Sequence, residues 1–488
     1  MSSKKPFYIT TTLPYVNAEP HIGFAMEIIR ADIIARSKKL AGYDVFFNTG
    51  TDEHGIKIYR KAKDLGIEPQ TYVDGLSLKY KELLTILGIT SEVNFIRTTD
   101  AHHKKSAQAF WETVNKNGYI YKKNYSTKYC VGCELEKTDS ELVNGRCPLH
   151  PLQDLEIIEE ENYFFKFSAF QDKLLDLYKD NPSFVVPDFR FNEIKSLVSS
   201  GLKDFSISRL TKKMQWGIAV PGDPDQVMYV WFDALVDYIS AIGWSDDEVA
   251  GVTQTNVFQK WWIETGGVVQ YCGKDNLRQQ SAMWQAMLMA AGLPPSKTIV
   301  VDGFITGDGG IKMSKSLGNT VDPLDVVKQY GTDALRYYVS REISPFEDSP
   351  FTMEKFKEAY NANLANGIGN LTSRIMKMAE THVKPVSVAP VLAQEYIEAL
   401  DRYDIKSASD FVWSKITALD VMIQKEEPFK KLKVEETKAQ ALELIDRLVK
   451  GLAEVALHLQ AILPETASKI QECIKENKTP AAPLFMRK

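Results

Sequence analysis

The stretch Phe7-Tyr8-Ile9-Thr10-Thr11 opens the segment that decides the fold of this chain. Its aromatic and β-branched residues predict a short buried strand, which Pro14 ends. Residues 22–40 carry apolar side chains at helical spacing, and Gly42 supplies a stop signal for the helix. A second strand is predicted at 45–48, directly after this helix. The order of strand, helix and strand predicts a βαβ unit and therefore a parallel sheet.

The alternation of strands and helices breaks at about residue 119 and resumes near residue 226. The intervening segment holds clustered cysteines, acidic runs and scattered Pro and Gly, which indicates an insertion. After it, strands are predicted at 227–232, 268–272 and 298–301, and a helix at 276–291. Beyond residue 350 an amphipathic helical pattern dominates and predicts a helical bundle. The predicted domains are 1–118, the first half of a Rossmann-like domain; 119–225, an inserted connective domain; 226–350, the second half; and 351–488, a helical domain.

Length and composition set broad limits on the class of protein. The 488 residues suffice for about two to four domains, and 44% hydrophobic with 25% charged residues is typical of a soluble globular chain. No apolar run reaches the roughly 18–20 residues that a membrane span needs. The basic first residues lack the apolar core of a signal peptide, so we expect a cytoplasmic location without membrane association. The net charge of −5 argues against a uniformly basic nucleic-acid surface, but it leaves open a local basic face that meets phosphate.

Three of the five cysteines cluster beside a histidine. The pairs Cys130-x-x-Cys133 and Cys147-x-x-His150 offer thiolate and imidazole ligands at a spacing that suits tetrahedral Zn²⁺. Because protein would fill all four positions, the predicted site is structural, with one Zn²⁺ per chain. The alternative is two chance pairs of buried thiols. The predicted fold class is α/β: a doubly wound parallel Rossmann-like sheet, split by an inserted zinc-binding connective domain and followed by an α-helical bundle.

Two short motifs suit the phosphates of a nucleotide. His21-Ile22-Gly23-Phe24 stands where the first strand turns into the first helix, whose N-terminus offers free N–H groups and a positive dipole end. Gly23 lets a ligand approach the backbone, and His21 can donate to a phosphate oxygen. Lys312-Met313-Ser314-Lys315-Ser316 follows a Gly-rich turn, and its two lysines can neutralise charge as pyrophosphate leaves. Taken alone, the first motif is equally consistent with a buried histidine at a helix start, and the second with a solvated loop.

Together and in this order, the two motifs resemble the HIGH and KMSKS signatures of class I aminoacyl-tRNA synthetases. Further segments are similar to the methionyl-tRNA synthetase family and extend the resemblance over nearly the whole chain: Thr12-Leu13-Pro14-Tyr15-Val16-Asn17, Gly50-Thr51-Asp52-Glu53-His54-Gly55, Tyr229-Val230-Trp231-Phe232-Asp233-Ala234-Leu235 and Gly273-Lys274-Asp275-Asn276. The resemblance implies a ligase that joins L-methionine to tRNA(Met) with ATP and Mg²⁺. It also implies the single zinc knuckle of one subgroup of the family.

The resemblance assigns roles to individual residues. Asp52 would hold the α-ammonium of methionine, since a carboxylate is the natural partner of an ammonium. The methionine pocket would combine aromatic and apolar side chains, which suit a polarizable thioether, with one amide: Leu13, Tyr15, Trp231, Ala234, Leu235, Tyr238 and Gln270. ATP would be bound by Thr12, His21, Gly23, Phe24, Gly273, Asp275, Lys312 and Lys315, and the catalytic groups would be His21, Arg209, Lys312 and Lys315. Two positions depart from the family: Phe24 replaces a polar residue, usually His or Asn, and Gln270 stands where most relatives have His.

A polar stripe in the C-terminal region points to tRNA. Asn366, Asn370 and Arg374 stand four residues apart, on one face of a predicted helix. Such a stripe is usually a solvated face, but the resemblance implies that these residues read the anticodon. Phe429, after Pro428, falls where relatives often have Trp, and its ring can stack on an unpaired base. The chain ends soon afterwards without an appended tRNA-binding or dimerisation module, so we expect a monomer.

Other classes stay open from the sequence. A cysteinyl-tRNA synthetase would need a zinc ligand in its active site, and no Cys precedes His21. The leucyl, isoleucyl and valyl enzymes carry a large editing insertion, for which the stretch between His21 and Lys312 is too short. A catalytically inactive relative that binds tRNA is the alternative from outside the enzymes. Phe24 favours that alternative, and the two motif lysines oppose it.

Overall fold

The computed structural model describes residues 4–244, 256–311, 313 and 320–488. These residues form two compact units, each discontinuous in sequence. The first comprises Met1–Pro20, Asp44–Glu82 and Glu92–Val301, and the second comprises His21–Tyr43, Leu83–Ser91 and Asp302–Lys488. Within the described ranges, no helix combines the length and apolarity that crossing a bilayer requires. The domain boundaries expected after residues 118, 225 and 350 stay a prediction.

The secondary-structure elements alternate in the N-terminal two thirds and are almost all helical after that. The strands are β1 Pro6–Thr10, β2 Asp44–Thr51, β3 Asn94–Arg97, β4 Ile120–Cys130, β5 Leu135–Lys137, β6 Glu156–Phe165, β7 Val185–Val186, β8 Phe205–Ser206, β9 Ser208–Leu210, β10 Ala219–Val220, β11 Asp223–Met228, β12 Val269–Gly273, β13 Thr298–Asp302, β14 Ile305–Thr306 and β15 Ser349–Pro350. The α-helices are α1 Ile22–Leu40, α2 Ile56–Asp64, α3 Pro69–Ile86, α4 Ala101–Lys116, α5 Gln171–Asp180, α6 Asp188–Ser199, α7 Val230–Ala234, α8 Asp237–Ser240, α9 Asn256–Phe258, α10 Trp284–Ala290, α11 Pro323–Tyr330, α12 Thr332–Tyr337, α13 Met353–Ala359, α14 Asn370–His382, α15 Gln394–Asp401, α16 Ile405–Glu426, α17 Pro428–Lys431, α18 Glu435–Ile462 and α19 Pro464–Glu476. π-Helical turns occupy Gln259–Ile263, Gln279–Met283, Tyr338–Glu342 and Tyr360–Gly369.

The main sheet has the strand order β3-β2-β1-β12-β13-β7. β1 pairs in parallel with β2 on one side and with β12 on the other, and the pairs β2–β3 and β13–β7 are also parallel. The predicted βαβ order and the doubly wound parallel sheet are therefore confirmed. Strand order proceeds outward in both directions from β1 and β12, so the boundary between these two strands is a topological switch point. In open α/β sheets, ligands bind beyond the carboxyl ends of the strands at such a point.

The segment predicted as an insertion forms the sheet β5-β4-β6-β8. Its strands pair in antiparallel fashion, and β4 runs beside β6 from Ile120 opposite Phe165 to Tyr129 opposite Glu156. The same segment also supplies β7, which pairs with β13 at the edge of the main sheet. An apolar run as short as β7 carries no recognisable periodicity, so the sequence pattern could not identify it. The insertion therefore contributes to the main sheet as well as forming its own.

The core of the first unit is rich in aromatic side chains that anchor α7. The ring of Phe232 lies 5.9 Å from the ring of Phe110 and 5.2 Å from that of Trp111, both on α4. Phe110 also contacts Trp284 of α10 at 5.8 Å. Tilted and edge-on ring pairs of this kind add about 0.5–1.5 kcal/mol each beyond the burial of their area. These contacts hold the short helix that carries the neighbouring residue, Trp231.

The predicted strand at 227–232 is wrong in its second half. β11 ends at Met228, and α7 begins at Val230 with the extended residue Tyr229 as its N-cap. The Met228 N–H donates to the carbonyl of Ile218 at 2.7 Å, and the Tyr229 N–H donates to that of Ile207 at 2.8 Å, which ends the strand pairing. Val230 and Phe232 are both buried, at 3% and 0% exposure. A fully buried apolar run is compatible with either a strand or a helix, so periodicity could not identify the helical half of this segment.

The second unit is mainly helical, and α13 to α19 confirm the predicted C-terminal bundle. A buried arginine joins three of its helices. Arg336 on α12 lies 2.7 Å from Asp32 of α1, and both side chains are 0% exposed. Arg336 also donates to the carbonyls of Ile462 and Ala461 at the end of α18, at 2.9 and 3.0 Å. Arginine hydrogen bonds to the last carbonyls satisfy acceptors that a helix C-terminus leaves open.

Candidate active site

Six of the residues predicted to bind methionine or ATP lie in the first unit near the ends of three neighbouring strands. They are Thr12, Leu13 and Tyr15 after β1, Asp52 after β2, and Gly273 and Asp275 at and after the end of β12. The Thr12 N–H donates to the carbonyl of Tyr271 at 3.1 Å, which continues the pairing of β1 with β12 toward this edge. Since the carboxyl ends of parallel strands meet at one edge, these residues lie at the switch point of the sheet.

Tyr15 and Asp52 stand side by side in this edge, joined by an isolated parallel bridge. The Asp52 N–H donates to the carbonyl of Pro14, and the Val16 N–H donates to that of Asp52, both at 3.0 Å. The Asp52 side chain is 6% exposed, and its Oδ1 has no hydrogen-bond partner among the described residues. A buried carboxylate oxygen without a partner is costly, so it indicates a position that a cationic or donor group of a ligand completes.

The electrostatic environment of Asp52 strengthens this interpretation. Burial raises the pKa of Asp52 well above its ordinary value, and the negative charges of Asp233 and Glu134 raise it further. The backbone N–H of His54 has the opposite, smaller effect on that pKa. Crowding of carboxylates disfavours the ionised form of each of them. A positively charged ligand group beside Asp52 would therefore relieve an unfavourable concentration of negative charge.

Two histidines lie close to this cluster and differ in their partners. His54 Nδ1 lies 3.1 Å from Asp233 Oδ2, and the two side chains are 2% and 0% exposed. His103 Nδ1 lies 2.9 Å from the hydroxyl of Ser240. Burial and the neighbouring His54 lower the pKa of His103 to about 3, so His103 is neutral at physiological pH. His54 is therefore the imidazole that contacts a carboxylate of the cluster.

The predicted aromatic and apolar lining is supplied by α7 and α8 with the turn between them. Ala234, Leu235 and Tyr238 are buried at 8%, 2% and 2% exposure, and Trp231 is partly buried against the same core. The indole Nε1 of Trp231 is buried without a hydrogen-bond partner in the part of the chain that is described. Trp N–H groups usually find a partner when buried, so a ligand can use this donor.

Gln270 belongs to a hydrogen-bond relay that the sequence pattern did not reveal. Its Oε1 accepts from the hydroxyl of Ser296 at 2.5 Å, and its Nε2 donates to Oε1 of Gln280 at 2.8 Å. Gln280 Nε2 in turn donates to the hydroxyl of Tyr238 at 2.7 Å. Gln280 is 1% exposed and connects two predicted pocket residues. Its sequence position, in a buried helical turn, gave no signal of this role.

Arg209, predicted to face ATP, is 8% exposed on β9. Its guanidinium lies over the rings of Tyr229 and Tyr129, at 4.6 and 5.1 Å from their centroids. Its Nη1 donates to the hydroxyl of Ser206 at 2.8 Å and to the carbonyl of Ser208 at 2.7 Å. Arg209 is thus held rigidly in the first unit, and its role toward ATP stays a prediction.

The four predicted metal ligands come together in the insertion. The ligand atoms of Cys130, Cys133, Cys147 and His150 all lie within 4.8 Å of one another. Cys133 Sγ is 3.5 Å from Cys147 Sγ and 3.2 Å from His150 Nδ1. Zinc–sulfur bonds of about 2.3 Å in a tetrahedron separate two sulfurs by just under 4 Å, so the cluster fits Zn²⁺.

The local backbone is shaped for this cluster. A Cβ at Gly132 would lie 2.4 Å from Cγ of His150, so only glycine lets the imidazole approach. The His150 N–H donates to the carbonyl of Cys147 at 3.0 Å, which folds the second ligand pair into a turn. Two tight turns that each present two ligands are typical of a structural zinc site.

His21 and Gly23 lie at the N-terminus of α1, in the second unit. His21 is the N-cap residue, and its Nδ1 accepts from the Gly23 N–H at 3.1 Å. With Nδ1 as acceptor, the neutral ring carries its proton on Nε2, which is then a donor. A Cβ at Gly23 would stand 3.0 Å from the His21 ring, so glycine permits this close cap. Phe24 is 7% exposed. Lys312 and Lys315 lie outside the described residues.

The predicted anticodon residues also lie in the second unit, and their helix differs from the expected regular one. Asn366 belongs to the π-helical turn Tyr360–Gly369, in which Gly367 has non-helical torsion angles (φ −82°, ψ −109°). Asn370 and Arg374 follow in α14, so the stripe continues through a break in helical geometry. Arg374 Nη1 lies 2.5 Å from Asp420 Oδ1 of α16. Phe429, on the four-residue helix α17, is 45% exposed.

Similarity to known proteins agrees with this arrangement. The family model described as tRNA synthetases class I (M) matches residues 7–376. The chain is 39% identical to the methionine–tRNA ligase of Thermotoga maritima, over 97% of this chain and 76% of that protein. It is 40% identical to the methionine–tRNA ligase of Thermosynechococcus vestitus, over 95% of this chain and 89% of the relative.

A solved structure shows the same fold. The methionyl-tRNA synthetase of Mycobacterium tuberculosis, in complex with methionyl-adenylate, superposes with a TM-score of 0.87 at 32% identity and covers 99% of this chain and 98% of that one. The family model matches about three quarters of the chain, and the relatives and the solved structure match almost its whole length. The chain therefore belongs to the methionyl-tRNA synthetase family of class I aminoacyl-tRNA synthetases.

Proposed function

We propose that this chain is a methionine–tRNA ligase that works in two steps. In the first step a carboxylate oxygen of methionine attacks the α-phosphorus of ATP, the bond to the bridging oxygen breaks, and pyrophosphate leaves with Mg²⁺. In the second step the 2′-hydroxyl of the terminal adenosine of tRNA(Met) attacks the carbonyl carbon of methionyl-adenylate. The hydroxyl loses its proton and AMP leaves. Neither step requires a covalent bond to the protein, so the protein acts by placement and charge.

The observation that carries the proposal is the buried Asp52 Oδ1, which lies at the switch point of the sheet and has no hydrogen-bond partner among the described residues. The α-ammonium of an amino acid would supply the missing donor and the compensating positive charge. Tyr15 stands beside Asp52, and the buried indole N–H of Trp231 has no partner in the described part of the chain, so the proposed lining includes two aromatic rings. An unbranched thioether side chain suits such a lining because sulfur is polarizable and packs well on rings.

The remaining roles divide between nucleotide and pocket. Gly273 and Asp275, at the carboxyl end of β12, and Thr12 after β1 are proposed to contact ATP, as are Gly23 and Phe24 after the first motif histidine. His21 is proposed to donate from Nε2 to phosphate, and Lys312 and Lys315 to neutralise the leaving pyrophosphate. Arg209 is proposed as a further positive charge in catalysis. The lining is assigned to Leu13, Tyr15, Trp231, Ala234, Leu235, Tyr238 and Gln270.

Outside the reaction site, we propose two further roles. Cys130, Cys133, Cys147 and His150 would hold one Zn²⁺, which supplies structural cross-linking of the knuckle and takes no part in the reaction. Asn366, Asn370 and Arg374 would read the anticodon of tRNA(Met), with the exposed ring of Phe429 stacked on an unpaired base. We also propose the monomeric state and the cytoplasmic location that were expected from the sequence.

The test is amino-acid-dependent exchange of pyrophosphate with ATP, followed by aminoacylation of tRNA(Met). We expect methionine, and no other proteinogenic amino acid, to support exchange, and the charged tRNA to carry methionine. Exchange with a different amino acid would replace the proposed substrate. Tight binding of tRNA without any exchange would favour the catalytically inactive relative.

A further inference from the structure

Glu134 is a buried charged residue that none of the sequence motifs include. It directly follows Cys133 and takes the left-handed conformation, with φ 53°. Its exposure is only 5%. Carboxylates are almost never buried to this extent unless their oxygens are paired, so the partners of Glu134 are informative.

Both carboxylate oxygens of Glu134 accept hydrogen bonds from outside the knuckle turn. Oε1 accepts from the hydroxyl of Tyr15 at 2.8 Å and from the backbone N–H of Lys57 at 3.0 Å. Oε2 accepts from the hydroxyl of Tyr129 at 3.0 Å. The backbone carbonyl of Glu134 accepts from the hydroxyl of Tyr229. Hydrogen bonds to an ionised acceptor are shorter and stronger than neutral ones.

The contact with Lys57 places Glu134 at the start of α2. Gly55 is the N-cap residue of that helix and has no side chain to accept from the free N–H groups. Glu134 provides the missing acceptor from a distant part of the sequence, and its negative charge also suits the helix N-terminus. A second hydrogen bond joins α2 to the knuckle turn, because Lys57 Nζ donates to the carbonyl of Gly132 at 2.8 Å.

The contact with Tyr15 is equally constrained. A Cβ at Gly55 would lie 2.5 Å from the Tyr15 hydroxyl and 3.3 Å from Glu134 Oε1, so the three groups meet without spare room. Burial and the neighbouring Glu134 raise the pKa of Tyr15 well above its ordinary value, so its hydroxyl keeps the proton that it donates. Tyr15 in turn adjoins Asp52 through the backbone bridge.

We propose that Glu134 is a positioning residue for the amino-acid site: its carboxylate holds the Tyr15 ring and the start of α2 in the arrangement that binds methionine. The inference rests on the proposed function, which assigns Tyr15 to the methionine pocket. Glu134 is proposed to touch neither methionine nor ATP. It sets the affinity for methionine through Tyr15, and a residue of the insertion thereby takes part in substrate selection.

The test uses three variants of the full-length chain in methionine-dependent pyrophosphate exchange. Glu134→Gln keeps the size of the side chain but removes its charge and one acceptor oxygen. Tyr15→Phe removes only the hydroxyl that donates to Glu134. Each is expected to raise the KM for methionine by about tenfold, as loss of a charge-assisted hydrogen bond does, and to leave the KM for ATP within about twofold. The KM of the double variant for methionine is expected to be no higher than the larger of the two single-variant values, because both substitutions remove the same contact.

The matched control is Glu156→Gln. Glu156 also joins the insertion to α2, since its two oxygens accept from Arg60 at 2.7 and 3.0 Å, but its side chain is 44% exposed and it is not part of the buried contact with Tyr15 described above. We expect its KM for methionine to match that of the unaltered chain. Zinc content, melting temperature and kcat are measured for every variant.

Two outcomes would overturn the proposal. In the first, Glu134→Gln leaves the KM for methionine unchanged, or lowers kcat and melting temperature while both KM values move together, as a purely structural role requires. In the second, which applies even if Glu134→Gln does not fold, Tyr15→Phe keeps the original KM for methionine. Failure of the unaltered chain to exchange with methionine would instead refute the proposed function, so the two failures are distinguishable.

Discussion

Replacing Asp52 by Asn is expected to weaken methionine binding by about 30-fold to several thousand-fold. The Asp52 side chain is 6% exposed, so its pair with an ammonium would be buried. Loss of one partner of a buried charge pair costs about 2–5 kcal/mol, and every 1.4 kcal/mol is about tenfold in affinity. Asn keeps the shape and one carbonyl oxygen, so the loss reports the charge and not a change in packing.

Isothermal titration with two ligands isolates the contact. Methionine carries the α-ammonium, whereas 4-(methylthio)butanoate has the same thioether and carboxylate without it. Asp52→Asn should weaken methionine alone, and the second ligand should bind equally well or better because repulsion between two carboxylates is removed. Asp74→Asn is the control, since Asp74 pairs with Arg97 on the surface at 51% exposure. Equal losses for both ligands, or a methionine Kd within about threefold of the original, would refute the assignment.

The same site predicts a dependence of binding on pH. Burial and the carboxylates of Asp233, Glu134 and Glu53 raise the pKa of Asp52, and the backbone N–H of His54 lowers it. Above that raised pKa the carboxylate is ionised and binds the ammonium. As pH falls through the pKa a proton occupies the site, and the affinity drops by about tenfold per pH unit. Asp52→Asn should lose this slope, and an identical pH profile in both proteins would show that another group titrates.

Four further predictions concern the metal, the loop lysine, the tRNA contact and the helical unit. The chain should contain about one Zn²⁺, and full zinc content in Cys147→Ser would contradict the ligand set. Lys315→Ala should slow pyrophosphate exchange by about 100-fold or more with little change in methionine Kd, and unchanged exchange would exclude this role. Phe429→Ala should raise the KM for tRNA by about 5–150-fold, because a stacked base is worth roughly 1–3 kcal/mol. Pyrophosphate exchange, which needs no tRNA, should hardly change. Equal losses of activity in the aminoacylation and exchange assays would mean that Phe429 has a structural role. Asp32→Asn leaves the Arg336 charge buried and should lower the free energy of unfolding by about 3–5 kcal/mol, whereas Asp401→Asn, which removes the exposed partner of Lys38, should lower it by less than about 1 kcal/mol. Equal losses in those two variants would contradict the argument from burial.

Local patterns were sufficient to predict two of the regular elements. The helix predicted at 22–40 matches Ile22–Leu40, and the strand predicted at 298–301 lies within Thr298–Asp302. Both depend on periodicity and on stop signals a few residues away, which a sequence displays directly. Residues that follow strand ends are also easy to place, because parallel strands present their carboxyl ends together. Tyr15 and Asp52 were therefore predictable as neighbours once the sheet was known to be parallel.

The contacts that position these residues were not predictable in the same way. Glu134 meets Tyr15 across 119 positions of sequence, and nothing in the residues around it signals that partner. Glu134 itself adopts the left-handed conformation after Cys133, and no glycine at this position indicates such a turn in the sequence. The break in helical geometry at Gly367 was equally unpredictable, since a glycine within a helical pattern is compatible with a regular helix as well as with a π-helical turn. Tertiary packing decides among such alternatives, and local sequence patterns do not show which of them the packing favours.

The departure at Gln270 is best understood through its partners. The donors in the relay all point the same way, from Ser296 to Gln270, from Gln270 to Gln280, and from Gln280 to the Tyr238 hydroxyl. An amide has one acceptor side and one donor side, so two amides in series can each accept from the residue behind and donate to the residue ahead. The two amides carry no charge, whereas an imidazole at position 270 would present a donor or an acceptor at each nitrogen according to its tautomer. Gln270 and Gln280 therefore connect Ser296 to the Tyr238 hydroxyl through uncharged groups. With His in place of Gln270, the Oε1 of Gln280 would be satisfied only in the tautomer that presents an N–H toward it.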